Sequence, residues 1–215
     1  VMNIIPNNTY RLEVLNKQTG FVARSKTLIV GPPPTISFPV SVVNPNLSVA
    51  PDLIIQLRFV NGNNAKLHDA VFEFTIEEFS KSDTTQKRER FYAWRFVNNL
   101  RNENTAPGSR VRTTEGKNFF EYFKAVLPYD TTVYRRFKKI DFVLYSSASE
   151  LADFMESTTP SIGIVQKQTE YTNIENGVGV FSSRHTARIK NITLDIATIE
   201  YLRTLDDYKD LQFIP

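Results

Sequence analysis

The stretch Thr172-Asn173-Ile174-Glu175-Asn176-Gly177-Val178-Gly179-Val180-Phe181-Ser182-Ser183-Arg184 places a turn dipeptide, a second glycine and a strand-like run within thirteen residues. Asn176-Gly177 suits a tight turn because both residue types take positive φ at little cost, and Gly179 leaves room for another chain to come close. The turn is expected to feed a strand running from Val178 into residues 187–194. Asn176, Gly177 and Gly179 are therefore structural turn residues, a matter of backbone geometry and not of reactive groups.

The same grammar recurs on either side. Residues 9–16 alternate Tyr10, Leu12 and Val14 with Arg11 and Glu13, the period of a half-buried strand. Asn16-Lys17-Gln18-Thr19-Gly20 reads as the loop of a hairpin that returns through 21–30, like the last hairpin of an immunoglobulin-like or fibronectin-like sandwich. A lone hairpin is marginal in water, so it has to pack on the rest of the chain or on other strands. Gly31-Pro32-Pro33-Pro34 cannot continue a ladder, because three consecutive residues lack the backbone donor. A soft domain boundary is expected near 44–51, although the two parts are free to share one core.

Residues 53–60 and 70–79, joined by Asn61-Gly62-Asn63-Asn64, read as the clearest hairpin of the chain. Phe72, Phe74 and Ile76 line one face of the second strand, and Glu73, Thr75 and Glu77 the other. In the next strand Tyr92, Trp94 and Phe96 share a face. Residues 98–117 show almost no apolar period and read as a long surface loop turning at Pro107-Gly108. Helices are predicted near 117–127, 148–157 and 197–206. The first sets Phe119, Phe120, Phe123, Val126 and Leu127 on one stripe and is stopped by Pro128. The second has Ser147 and Glu150 at capping-box spacing and ends before Pro160, and the third is capped by Asp195 or Thr198.

These elements predict a mainly β (α+β) fold of antiparallel, sandwich-like sheets, with an immunoglobulin-like N-terminal hairpin and two or three short helices packed on the sheet. Its expected divisions are 1–44, strands of the immunoglobulin-like module, and 45–215, a β-rich domain carrying the helices.

With 215 residues the chain can bury enough surface to fold without metal or disulfide. It has no cysteine, which removes disulfides, thiolate zinc sites, iron–sulfur clusters and thiol nucleophiles together. No run approaches the ~18 apolar residues of a membrane span. The net charge of +3 is too mild to argue for nucleic acid. Residues 85–140, however, hold 13 Lys/Arg against 5 Asp/Glu.

Few constellations could carry chemistry. His68 and His185 lack partners at ligand spacing, so no metal or cofactor is expected. Ser183-Arg184-His185 invites a nucleophile reading, but no strand–turn–helix elbow surrounds the serine. Glu77-Glu78 and Asp206-Asp207 are paired in sequence only. Two features could face a ligand. The aromatic stripe at Tyr92 and Trp94 is either core or a sugar-binding or base-stacking surface, and ring burial in such sheets favours core. The basic group Lys87, Arg88, Arg90, Arg135, Arg136, Lys138 and Lys139 is either a solvated face or a surface for a polyanion. Tyr92, Trp94, Arg135, Arg136, Lys138 and Lys139 are thus the candidate ligand-binding residues.

Two stretches, Asn8-Thr9-Tyr10-Arg11-Leu12-Glu13-Val14 with Asn16-Lys17-Gln18-Thr19-Gly20, and Tyr171 with the 172–181 segment quoted above, carry a resemblance. The chain resembles the strand-rich, immunoglobulin-like extracellular domains of uncharacterised Bacteroidetes lipoproteins, domains of unknown function. That resemblance implies an exported protein of the outer membrane, cell surface or periplasm, attached through a lipidated cysteine that this chain does not contain. It supplies no catalytic residues. The expectation is a non-enzymatic structural or interaction module with a glycan or envelope protein as partner and nucleic acid disfavoured. One alternative is a glycan-binding accessory protein of a surface nutrient-uptake system, and another is a hydrolase with an unrecognised carboxylate pair.

Overall fold

A computed structural model describes residues 3–158 and 171–215. An antiparallel hairpin, β1 (Thr9–Leu15) and β2 (Val22–Leu28), is followed by β3 (Thr35–Phe38), the two-residue β4 (Asn46–Leu47) and β5 (Ile54–Asn61). Two long strands, β6 (Leu67–Ser80) and β7 (Lys87–Arg101), lead to β8 (Gly108–Glu115), α1 (Lys117–Val126), β9 (Val133–Ser147) and α2 (Ser149–Ser157). Then come β10 (Arg184–Ile189), β11 (Thr193–Leu194), α3 (Ile196–Thr204) and a 3₁₀ turn at Lys209–Leu211. The fold is mainly β, with antiparallel sheets in a sandwich-like arrangement and three short helices.

The central sheet runs β10-β9-β6-β7, a second sheet runs β3-β5-β8, and β11 pairs in parallel with β4. Strand β6 alternates as its sequence demands. Phe72, Phe74 and Ile76 point inward and are at most 1% exposed. They meet Ile55, Leu57 and Phe59 of β5, Trp94 and Phe96 of β7, Phe142 of β9 and the three phenylalanines of α1 in one core. Helix α1 lays Phe119 and Phe123 edge-on against Phe74, at 6.0 and 5.0 Å between ring centroids. Ile36 and Val40, from the N-terminal side of the expected boundary, belong to the same core.

The three helices fall where the apolar stripes put them, and the oxygen of Asp195 accepts the Ala197 amide at 3.2 Å as the cap of α3. Four local expectations give way. Residues 53–60 and 70–79 are not hairpin partners: β5 pairs with β3 and β8, while β6 pairs with β7 and β9. The Asn61-Gly62-Asn63-Asn64 link instead passes the chain between sheets, pressed against Gly31-Pro32, where the Gly31 amide donates to Asn63 O at 2.7 Å. The supposed loop at 98–117 contains β8, an edge strand whose side chains are all at least partly exposed, so no apolar period marks it.

Strand β10 starts only at Arg184, and the residues from Val178 to Ser183 form no strand. Nor does Ser147 cap α2: it sits in the β9 ladder opposite Leu67 and Arg184, and Glu150 turns to accept from Ser182 Oγ at 3.3 Å. Pro160, expected beyond that helix, lies outside the described residues.

A β-carbon on Gly62 would stand 2.4 Å from the Pro32 carbonyl oxygen, a backbone atom with nowhere to go. We expect Gly62→Ala to cost about 1–3 kcal/mol, as overpacking does. Urea unfolding should show this as a lowered midpoint at unchanged slope, and an unshifted midpoint would contradict the close crossing.

The 172–181 segment is the clamp that holds the N-terminal hairpin. Thr172 Oγ1 donates to Gly179 O at 3.0 Å and receives the Gly179 amide at 3.1 Å, closing the loop on itself. Asn176 and Gly179 adopt φ of 57° and 139°, whereas Gly177 stays outside the left-handed region. The close approach falls at Gly177, where a β-carbon would come within 2.9 Å of Ile174 Cγ2. The loop exchanges backbone hydrogen bonds between Arg24 and Glu175 of 3.1 and 2.8 Å, and Ser25 Oγ donates to Asn173 O at 2.7 Å. A hairpin that would be marginal alone is thereby tied to the rest of the protein.

Candidate functional site

Because successive residues of β6 point to opposite faces, its two neighbouring glutamates serve two separate charge clusters. Glu78 continues the inner row of Phe74 and Ile76. It is 2% exposed and opposes Arg135, which is 0% exposed. Arg135 Nε donates to Glu78 Oε1 at 2.9 Å, and its two terminal nitrogens donate to the carbonyls of Leu211 and Pro128 at 2.9 and 2.8 Å. Arg88 and Arg90 both donate to Glu78 Oε2, at 2.6 and 2.8 Å. Burial pushes the Glu78 carboxyl up, but the hydrogen bonds from Arg90, Arg135 and Arg88 outweigh it and hold it below the ordinary glutamate value.

Glu77 points to the outer face. The β6–β9 register skips Lys138, which lies between the pairs Thr75↔Lys139 and Ile76↔Phe137. This bulge turns both lysines outward, and Lys138 reaches Glu77 and Glu89. Arg136 donates to Glu77 Oε2 at 3.0 Å and, with Lys138, depresses its pKa.

Farther along the outer face lies a shallow cleft of ≈ 330 Å³. Thr75 forms its floor between Phe91 of β7 and Lys139 of β9, its direct cross-strand neighbours. One row on, Glu73 lies between Ala93 and Asp141. Arg188 of β10 joins the two acids, donating to both oxygens of Glu73 and to Asp141 Oδ2 at 3.1 Å. Lys139 reaches the same Asp141 oxygen at 2.9 Å. Burial pushes Asp141 up, but Lys139, the Asn191 amide and Arg188 together hold it low and ionised. Phe91 stands 78% exposed at the rim.

The residues singled out from sequence divide unevenly. Trp94, 7% exposed, is core, stacked on Phe72 at 5.8 Å and edge-on to Phe119 at 5.6 Å. Tyr92 is half-buried on the same inner face. Arg135 is sealed in with Glu78, so neither it nor Trp94 meets a ligand from outside. Arg136, Lys138 and Lys139 are exposed but engage Glu77, Glu89 and Asp141. Every member of the basic group has an acidic neighbour, since Lys87 also stands 3.6 Å from Glu77, although several cations share each carboxylate. Missed altogether was Phe91, although the alternation that turns Trp94 inward turns Phe91 outward.

Among the described residues, Ser183 and His185 do not converge on an acid. Ser183 Oγ donates to Leu28 O at 3.1 Å and accepts the Val30 amide at 3.0 Å, so it holds backbone. His68 has the outline of a hydrolytic triad, with Nδ1 2.9 Å from Ser146 Oγ and Nε2 2.7 Å from Asn102 Nδ2. The group is sealed, with His68 and Ser146 0% exposed and Asn102 7%. An amide donor at Nε2 leaves the proton on Nδ1, donated to Ser146, which is opposite to what a serine nucleophile requires. Asp206 is bound to Lys209, and no cluster able to hold a metal ion occurs among the described residues.

Burial, with a smaller effect from Arg110, lowers the His68 pKa from 6.5 to about 4. The folded state therefore binds that proton less readily than the unfolded chain. Stability from this group is complete above pH 6.5 and is lost as pH falls towards 4. The expected loss is roughly 3 kcal/mol over that window. Urea midpoints measured from pH 7 down to about 4 check it; a flat profile there would contradict a neutral, buried imidazole.

No protein-family model matches the chain, and no curated protein matches it.

Proposed function

We propose that this chain is a non-enzymatic structural or interaction module of an exported envelope protein, placed at the outer membrane, the cell surface or in the periplasm. The observation that carries the reading is the clamp. The two stretches that resemble Bacteroidetes lipoprotein domains, 8–20 and 171–181, are far apart in sequence yet meet through β2, which pairs with β1 and is tied to the second stretch by the bridge between Arg24 and Glu175 and the bond from Ser25 to Asn173.

The state of the polar groups agrees with it. Ser183 holds backbone, His68 is sealed between Ser146 and Asn102, and Arg135 and Glu78 neutralise each other inside the protein. A glycosidase-like mechanism needs one carboxyl of its pair held protonated near neutral pH. In the cleft that brings Glu73 and Asp141 together, both carboxylates are instead paired with cations, Glu73 with Arg188 and Asp141 with Arg188 and Lys139.

Fractionation of the source cells with an antibody to this domain, combined with protease treatment of intact cells, tests the address. The protein should appear in the envelope or periplasmic fraction. Recovery with cytosolic proteins, protected until the inner membrane is broken, would overturn the reading.

A further inference from the structure

We infer that the outer-face cleft over Thr75 is a binding site for a neutral carbohydrate. In this site Phe91 is the stacking platform, and Glu73, Arg188, Asp141 and Lys139 are the hydrogen-bonding wall. The site extends beyond the envelope reading and does not depend on it, since it concerns what the isolated domain binds.

Three features of the cleft lead there. Its hollow exists because Thr75 and Ala93 are small where their neighbours are long, and its ≈ 330 Å³ lies at the small end of ligand sites. On one side stands Phe91, 78% exposed in a strand whose other rings are at least half-buried. Leaving such a ring in water forgoes its burial, which the apolar C–H face of a sugar ring would recover.

On the other side lies an ordered row of donors and acceptors. Arg188 spans Glu73 and Asp141, and Lys139 completes the row at Asp141. These side chains already hold one another in place, so a ligand would not bear the entropy of ordering them. Alternating carboxylate and cationic groups suit adjacent hydroxyls, each of which donates one hydrogen bond and accepts others.

The charge balance selects among ligands. Two carboxylates face two cations, so the cleft has no net charge to attract a nucleic acid or acidic glycan, whose binding depends on excess cations. Each acid is already met by a cation, and this leaves no acidic set open for a metal ion. An uncharged, hydroxyl-rich ring with one apolar face is what remains complementary.

Isothermal titration calorimetry of the whole protein against uncharged tri- to pentasaccharides of glucose, galactose, mannose and xylose tests the inference. At least one should bind, with an affinity unchanged between about 0.1 and about 0.5 M salt. Phe91→Ala should weaken that binding by ~tenfold or more, the equivalent of losing one stacked ring, without moving the melting temperature. The inference is overturned if no member of the panel binds. It is equally overturned if Phe91→Ala binds as well as the parent, or if binding falls steeply with salt.

Discussion

Glu78→Gln is expected to destabilise the protein by about 3–5 kcal/mol, the cost of stranding a buried charge by removing its partner. Arg135 is 0% exposed and cannot turn to solvent, because its guanidinium also holds the carbonyls of Leu211 and Pro128. Those carbonyls fasten the C-terminal turn and the segment after α1 to the start of β9. Arg88 and Arg90 have exposed side chains and can find water once Glu78 is neutral, so the penalty concentrates on Arg135. For a domain of this length the melting temperature should fall by roughly 10 °C. A fall of only about 2 °C would show that the cluster is wet, and that its cations remain available to external anions.

The second large effect is expected at Phe72. Its ring meets Phe74, Trp94, Phe96 and Phe142 at centroid distances of 6.1, 5.8, 5.8 and 4.6 Å, and it is 0% exposed. Phe72→Ala leaves a cavity that β-strands fixed on both sides cannot close, at a cost of about 3–5 kcal/mol. The emission of Trp94, the single tryptophan, should also move towards the red and become open to acrylamide as its stacking partner is lost. Unchanged emission together with an unchanged urea midpoint would mean that the aromatic stripe is not the core.

What could be read in the sequence was local. Period-two alternation in β6 and β7 placed Phe72, Phe74, Trp94 and Phe96 correctly, and the phenylalanine stripe of α1 located its helix, because side-chain direction follows directly from backbone geometry. Pairing between strands could not be read the same way. Asn61-Gly62-Asn63-Asn64 has hairpin composition, yet it serves as a crossing between sheets because Gly31-Pro32 packs against it. Strand β8 was invisible because an exposed edge needs no apolar face.

The candidate site was legible only in part, for a related reason: Lys139 lines the outer-face cleft, whereas Trp94 and Arg135 are buried. The basic excess counted over 85–140 is real in sequence, but Glu77, Glu78 and Asp141 lie just outside that window, and the ladder sets them against those cations. Phe91 was legible in principle: in a strand whose even-numbered rings face the core, the odd-numbered one faces out.

The most direct measurement is a double-mutant cycle between Glu78→Gln and Arg135→Met, read from urea unfolding. If the two groups form one buried pair, removing the second partner costs less once the first is gone. The double variant should then be more stable than the summed single losses by about 1–3 kcal/mol. Losses that simply add would contradict it, leaving Arg135 and Glu78 as independent charges.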